Sequence, residues 1–162
     1  MIVDSYRFLP RSFRAGYELA PTDEPEVWTP FEPRLADATI TLLSTAGLYI
    51  DGHQPAFDLD RERAEPTWGD PSHRVIPRVH PPLAMAHLHV NNADVLTDNE
   101  VALPLLALDG LVADGVVHAS SANHYSVMGF QGDLGTWRTD TAPAIVAQCR
   151  ADGTDGIVLA PV

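Results

Sequence analysis

Met85-Ala86-His87-Leu88-His89-Val90-Asn91-Asn92-Ala93-Asp94 is the stretch whose reading decides the fold. Leu83 to Val90 predicts a short buried strand. On a strand the i, i+2 spacing of His87 and His89 puts both on one face. The chain turns polar at Asn91, Asn92 and Asp94, where such a strand should end. Buried apolar surface then supplies the scaffold, and the polar edge supplies the chemistry. What matters next is which other segments converge on that edge.

On the N-terminal side, Ala38–Ser44 is β-branched and predicts the first strand, running into the small loop Thr45-Ala46-Gly47. Gly47 admits a ligand or a second backbone at close range. On the C-terminal side, Val101 to Asp114 predicts a helix, with Pro104 in its first turn and Gly115 just past its end. Gly115–Ser120 predicts a third strand, followed by Ser121-Ala122-Asn123-His124. A linker marked by Gly129, Gly132 and Gly135 leads to a helix that starts at Pro143 and stops before Gly153, and Gly156–Val162 predicts a fourth strand.

Two strand–helix–strand units in succession imply parallel strands with right-handed crossovers. The expected class is α/β: a three-layer, Rossmann-like domain with a mostly parallel sheet over residues 38–162. In such sheets the ligand crevice lies beyond the carboxyl ends of the strands. Residues 1–37 read as an extended but ordered N-terminal arm, because five prolines there are interleaved with Phe8, Phe13, Tyr17, Trp28 and Phe31. Residues 51–82 form a long, proline-punctuated connection of the kind that usually carries function. Within it, Asp58–Glu65 reads as a solvated turn of helix, Trp68–Arg74 as a wall or lid of the site, and Arg74–Pro77 as a short edge strand.

Bulk properties narrow the function. A chain of 162 residues with net charge −12 suits one soluble domain and lacks the basic face that nucleic acid or an anionic membrane requires. All ten cationic residues are arginine, which excludes lysine Schiff-base chemistry and favours planar contacts to anions. Arg7, Arg11 and Arg14 are the main local exception to the acidity. One cysteine, Cys149, excludes an internal disulfide or CxxC pair, and its place on the apolar face of the last helix marks it as buried and unreactive. With no signal peptide and no membrane-length apolar run, the expected location is cytoplasmic.

The candidate site collects the polar residues at the strand ends. His87, His89 and His124 are the candidates for proton transfer. Ser44 and Thr45, with Gly47 beside them, would bind an anionic group. Ser120 and Ser121 would position the substrate, with His118, Asn91, Asp94 and Arg74 completing the set. A divalent-metal enzyme built on His87, His89 and Asp94 is the rival, since neutral imidazoles and a carboxylate suit zinc, iron or nickel. A third reading is a non-catalytic subunit whose arm clasps a neighbour.

A family resemblance rests on five stretches in order. They are Val3–Arg14, Leu43-Ser44-Thr45-Ala46-Gly47-Leu48, Gly69–Pro77, His87-x-His89 with Asp94 and Asp98-Asn99, and His124-Tyr125-Ser126-Val127-Met128-Gly129. Together they resemble the glycine/sarcosine/betaine reductase selenoprotein B family, especially its short D-proline-reductase-like members. The resemblance implies reductive cleavage of a C–N bond in a small amino-acid-like substrate, with electrons from thiol proteins. It also implies a selenocysteine or cysteine directly after a strand like Gly156–Val162. The redox thiol or selenol is therefore expected beyond Val162 or from a partner reductase subunit. Three explanations stand for the stop at Val162: a selenocysteine codon read as a terminator, a short subunit that borrows its redox group, or a scaffold reassigned to sulfur-free chemistry on the histidines. A homo-oligomer is expected under each.

Overall fold

Strand β1 (Thr39–Ser44) is the axis on which everything else is hung. The computed structural model describes residues 30–162, of which Phe31–Val162 form one unit. The expected arm over residues 1–37, with Arg7, Arg11 and Arg14, falls almost wholly outside the described residues.

The period-two alternation of β1 sends its side chains to two cores. Ile40 and Leu42 join Leu48, Ile50, Ile76, Leu83, Met85, Leu105 and Leu108 in the larger cluster, while Leu43 joins Tyr125, Val127, Ile145 and Cys149 in the smaller one. Burying each such aliphatic side chain is worth roughly 1.5–3 kcal/mol, so β1 is stabilised from both faces.

Beside β1 runs a broken strand line, β5 (Ala119–Ser120) and β6 (Asn123–Val127), and on its other side β7 (Gly156–Ala160); all are parallel to β1. The edge strand β3 (His73–Pro77) closes the sheet, antiparallel to β6. A separate ribbon pairs β2 (Leu48–Ile50) antiparallel with β4 (Leu83–Met85). The helices are α1 (Leu59–Ala64), α2 (Asn92–Thr97), α3 (Leu105–Ala113) and α4 (Ala142–Ala151), the last continuing a π-helical turn at Trp137–Thr141. The result is an α/β fold with a mostly parallel sheet, as the sequence predicts. Among the described residues no helix is long and apolar enough to cross a membrane.

Three expectations are corrected. The stretch read as a strand over Leu83–Val90 is extended only to Met85, it pairs with β2 rather than with the parallel sheet, and His87 and His89 lie in the turns beyond it. The cause is polar competition: the Asn91 side chain caps α2 by accepting from the Ala93 N–H. Helix α3 begins at Leu105 rather than Val101, because Glu100 reaches forward to accept from the Leu106 and Ala107 N–H groups and so fixes the helix start. And the strand predicted over Gly115–Ser120 is only Ala119–Ser120 and does not end the strand line. The register shifts from Ile40↔Ser120 to Leu43↔Tyr125, so the line resumes at Asn123 and its carboxyl end is Val127. By contrast, the edge-strand reading of Arg74–Pro77 and the Pro143 start and Gly153 stop of α4 hold.

Candidate functional site

The carboxyl ends of β1, β6 and β7 converge, and beyond them opens a cleft of about 530 Å³. Its walls are Leu43, Thr45, Val127 and Met128 from the β1 and β6 ends, Leu159 and Pro161 from β7, and Leu134 with Trp137 from the segment before α4. This is where a parallel α/β sheet places its ligand. The lining is overwhelmingly apolar, with Thr45 and Gln131 as its polar members. The Gln131 amide is engaged, donating to the Asp70 carbonyl. Thr45 Oγ1 accepts from the Val162 N–H at 2.9 Å. A cleft of this kind holds an apolar body and offers few charged contacts.

Most of the residues picked from sequence lie elsewhere. Ser44 is fully buried and its hydroxyl accepts from the Ala46 N–H. Gly47, at φ +66°, is a backbone crossing: a Cβ there would meet the Ala86 carbonyl and the Met128 sulfur, so the close approach is to the protein itself. Ser121 is buried, its N–H bonded to the Ile40 carbonyl and its hydroxyl accepting from Thr154. His118 is exposed at the amino end of its strand line, the opposite end from the cleft. Arg74 is buried, held by the Pro55 and Ala56 carbonyls, by Ser72 and by stacking on Phe57 at 4.1 Å. Its role is to knit the long connection together. Asp70, beside it, loses solvation on burial. Hydrogen bonds from the Ser72 side chain and from the Asp58 and Ser72 N–H groups, with the Arg74 charge, more than offset that and hold its carboxyl below the usual value.

His124 is the clearest reassignment. Where the β5–β6 line breaks, the Leu42 N–H has no strand partner and donates instead to His124 Nδ1 at 3.0 Å. A backbone N–H can only donate, so Nδ1 is the bare nitrogen and Nε2 carries the proton, directed to Ser120 Oγ at 3.2 Å. Burial drives this imidazole down to about 4, so it is neutral near pH 7. Both its nitrogens are spent on mending the sheet.

His87 and His89 do stand together, rings edge to face with centroids 6.0 Å apart. His87 is half-buried and its Nδ1 accepts from the His89 N–H; burial, reinforced by His89, lowers it below its ordinary value. Asp94 does not join them, since its carboxylate is bonded to the Asn91 amide. Among the described residues no group of three or more His, Cys, Asp or Glu side chains is arranged to hold a metal ion. The histidine segment adjoins the cleft through Ala86, which packs in one cluster with Met128. It has a neighbour that the sequence reading missed. Glu62 on α1 is only 5% exposed, and His89 Nε2 lies 4.0 Å from its Oε1. The signal was present, because Glu62 occupies the inward position of a charged run read as solvated.

Fold and cleft together define an α/β domain with an apolar cleft beyond its strand ends. No known family profile and no solved structure matches the chain. Among curated proteins it is similar to the D-proline reductase subunit gamma of Acetoanaerobium sticklandii, 30% identical over 142 residues. The match covers 86% of this chain and 54% of that protein, so the chain spans about half the length of its relative. The similarity is therefore to part of a D-proline reductase subunit.

Proposed function

We propose that the protein is a subunit of a reductase of the D-proline reductase and selenoprotein B kind, in which the cleft receives the apolar part of a small amino-acid-like substrate. The observation that supports this best is a similarity extending over most of the chain, and so over most of the elements that frame the cleft. Reductive C–N cleavage needs two electrons and two protons: the C–N bond breaks, carbon and nitrogen each gain a hydrogen, and a dithiol becomes a disulfide. Cys149 does not supply the sulfur, because it is buried in the second core and burial pushes its thiol up. The proposal therefore assigns the redox thiol or selenol to a group outside these residues.

The proposal includes assembly. Strand β7 is flanked by β1 and carries no charge, yet Val158 is 49% and Leu159 66% exposed. Among the described residues no strand pairs with the other side of β7, and uncharged edges of this kind are where sheets continue into a neighbouring strand. A homo-oligomer or a partner reductase subunit both fit that edge. A three-layer, Rossmann-like architecture with residues 1–37 as an arm completes the reading.

The test is consumption of D-proline and other small amino acids with a dithiol reductant, using the chain alone and with its co-purified subunits. Turnover is expected only with the thiol- or selenol-bearing partner, with one dithiol oxidised per C–N bond broken. No consumption in any combination, or turnover that needs a divalent metal and no dithiol, contradicts the proposal.

A further inference from the structure

Glu62 is the least expected charge in the molecule. It sits on a six-residue helix whose other charged side chains all point to water. Its Oε2 is fully buried with no hydrogen-bond partner among the described residues. An unpaired buried carboxylate costs several kcal/mol, so such a group takes a proton or is matched by a cation. The basic side chain within reach is His89, which is 72% exposed while its Nε2 faces Glu62 Oε1 at 4.0 Å. That separation is too long for a direct hydrogen bond and fits one shared water at about 2.8 Å from each oxygen or nitrogen. His89 Nδ1 makes no hydrogen bond among the described residues, and the side chain as a whole is largely exposed.

We propose that Glu62 and His89 form a proton-transfer pair, in which the buried carboxyl holds a proton and the exposed imidazole passes it to the amine nitrogen released by reductive cleavage. The identity of that acceptor rests on the reductase reading; the pair itself does not. In the step, the Glu62 proton moves through the shared water to His89 Nε2 while the proton on Nδ1 leaves to the amine. The carboxylate left behind regains a proton from solvent by the reverse route. His89 is the group that meets the substrate, and Glu62 is a positioning residue that sets its tautomer and supplies its charge.

The surroundings raise the Glu62 carboxyl above its ordinary value. Burial raises Glu62 above the ordinary carboxylate value, the His89 charge pulls it back, Asp70 across from it raises it further, and Arg63 on its own helix lowers it. Against its own burial, hydrogen bonds and the Arg74 charge lower Asp70, and burial lowers His87 beside His89. Of the groups that act on Glu62, His89 is the largely exposed one that approaches its carboxyl at 4.0 Å.

The test follows the Glu62 carboxyl carbon by NMR through a pH titration of the wild-type chain and of His89→Gln, with the melting temperature measured beside it. The exposed His89 can be replaced without emptying any core. The expected result is a Glu62 midpoint that moves upward in His89→Gln while the melting temperature near pH 7 stays where it was. A Glu62 midpoint that does not move shows that the two groups do not exchange charge and overturns the proposal. A clear drop in melting temperature shows an ion pair that serves stability, and overturns it as well. Neither readout depends on turnover, so a failed reductase assay leaves this result standing and the reverse also holds.

Discussion

Gly47→Ala should cost the fold about 4 kcal/mol while Gly52→Ala costs about 1 kcal/mol, since both add the strain of a left-handed backbone but only one adds a collision. The two glycines have nearly the same φ, +66° and +68°. At Gly52 a new Cβ meets nothing within 4 Å, whereas at Gly47 it would press on the Ala86 carbonyl and lie 2.8 Å from the Met128 sulfur. The Ala86 carbonyl is backbone, pinned because the Ala86 N–H donates to the Gly47 carbonyl at 3.0 Å, so it cannot swing away. Urea unfolding of the two variants measures the difference directly. The effect reaches function too, because this crossing holds Ala86, the residue ahead of His87, against the cleft wall at Met128.

His124→Ala should be the second severe loss, about 3–5 kcal/mol, since it removes a buried ring and leaves the Leu42 N–H without an acceptor. The same histidine sets an acid limit. In the folded chain it stays neutral down to about pH 4, whereas the unfolded chain takes up that proton near 6.5. Between those values the unfolded state binds more protons, so stability falls as pH is lowered through the window, by up to about 3 kcal/mol from this group. Nitrogen-15 shifts of the ring should report a proton on Nε2 and a bare Nδ1 at pH 6, with no second protonation until the acid transition begins. A His124 that takes its second proton near 6.5 in the folded protein would contradict the assignment.

The architecture was legible where local chemistry and tertiary structure agree. The β-branched run Ala38–Ser44, the edge strand ending at Pro77, Pro143 at the start of α4 and the positive-φ glycines at 115 and 153 each force the chain locally. That a cleft opens beyond the strand ends followed from the parallel sheet. The residues that line that cleft did not, for two physical reasons. Polar side chains in a strand were read as facing a ligand, but a broken ladder consumes polar groups: His124 repairs the Leu42 pairing, and Ser121 supports the break. The true cleft is apolar, and Leu134, Trp137 and Leu159 carry no motif that separates a cleft wall from a core.

Glu62 illustrates the converse error. Asp58–Glu65 looks uniformly solvated because its charges are dense, and only the packing of Leu59 beside Phe57, Ala86 and Met128 turns one carboxyl inward. His87 and His89 were placed on the wrong element, since they sit in turns after β4 rather than on it.

The reading that a substrate enters at the strand ends is tested most directly by following the backbone amides of the chain while D-proline and other small amino acids are added. The account predicts shifts that saturate at Thr45, Met128, Gly129, Gln131 and Trp137, with His118 at the far end of the sheet unmoved. Saturating shifts confined to the His118 end, or none anywhere at concentrations that support turnover, would contradict it.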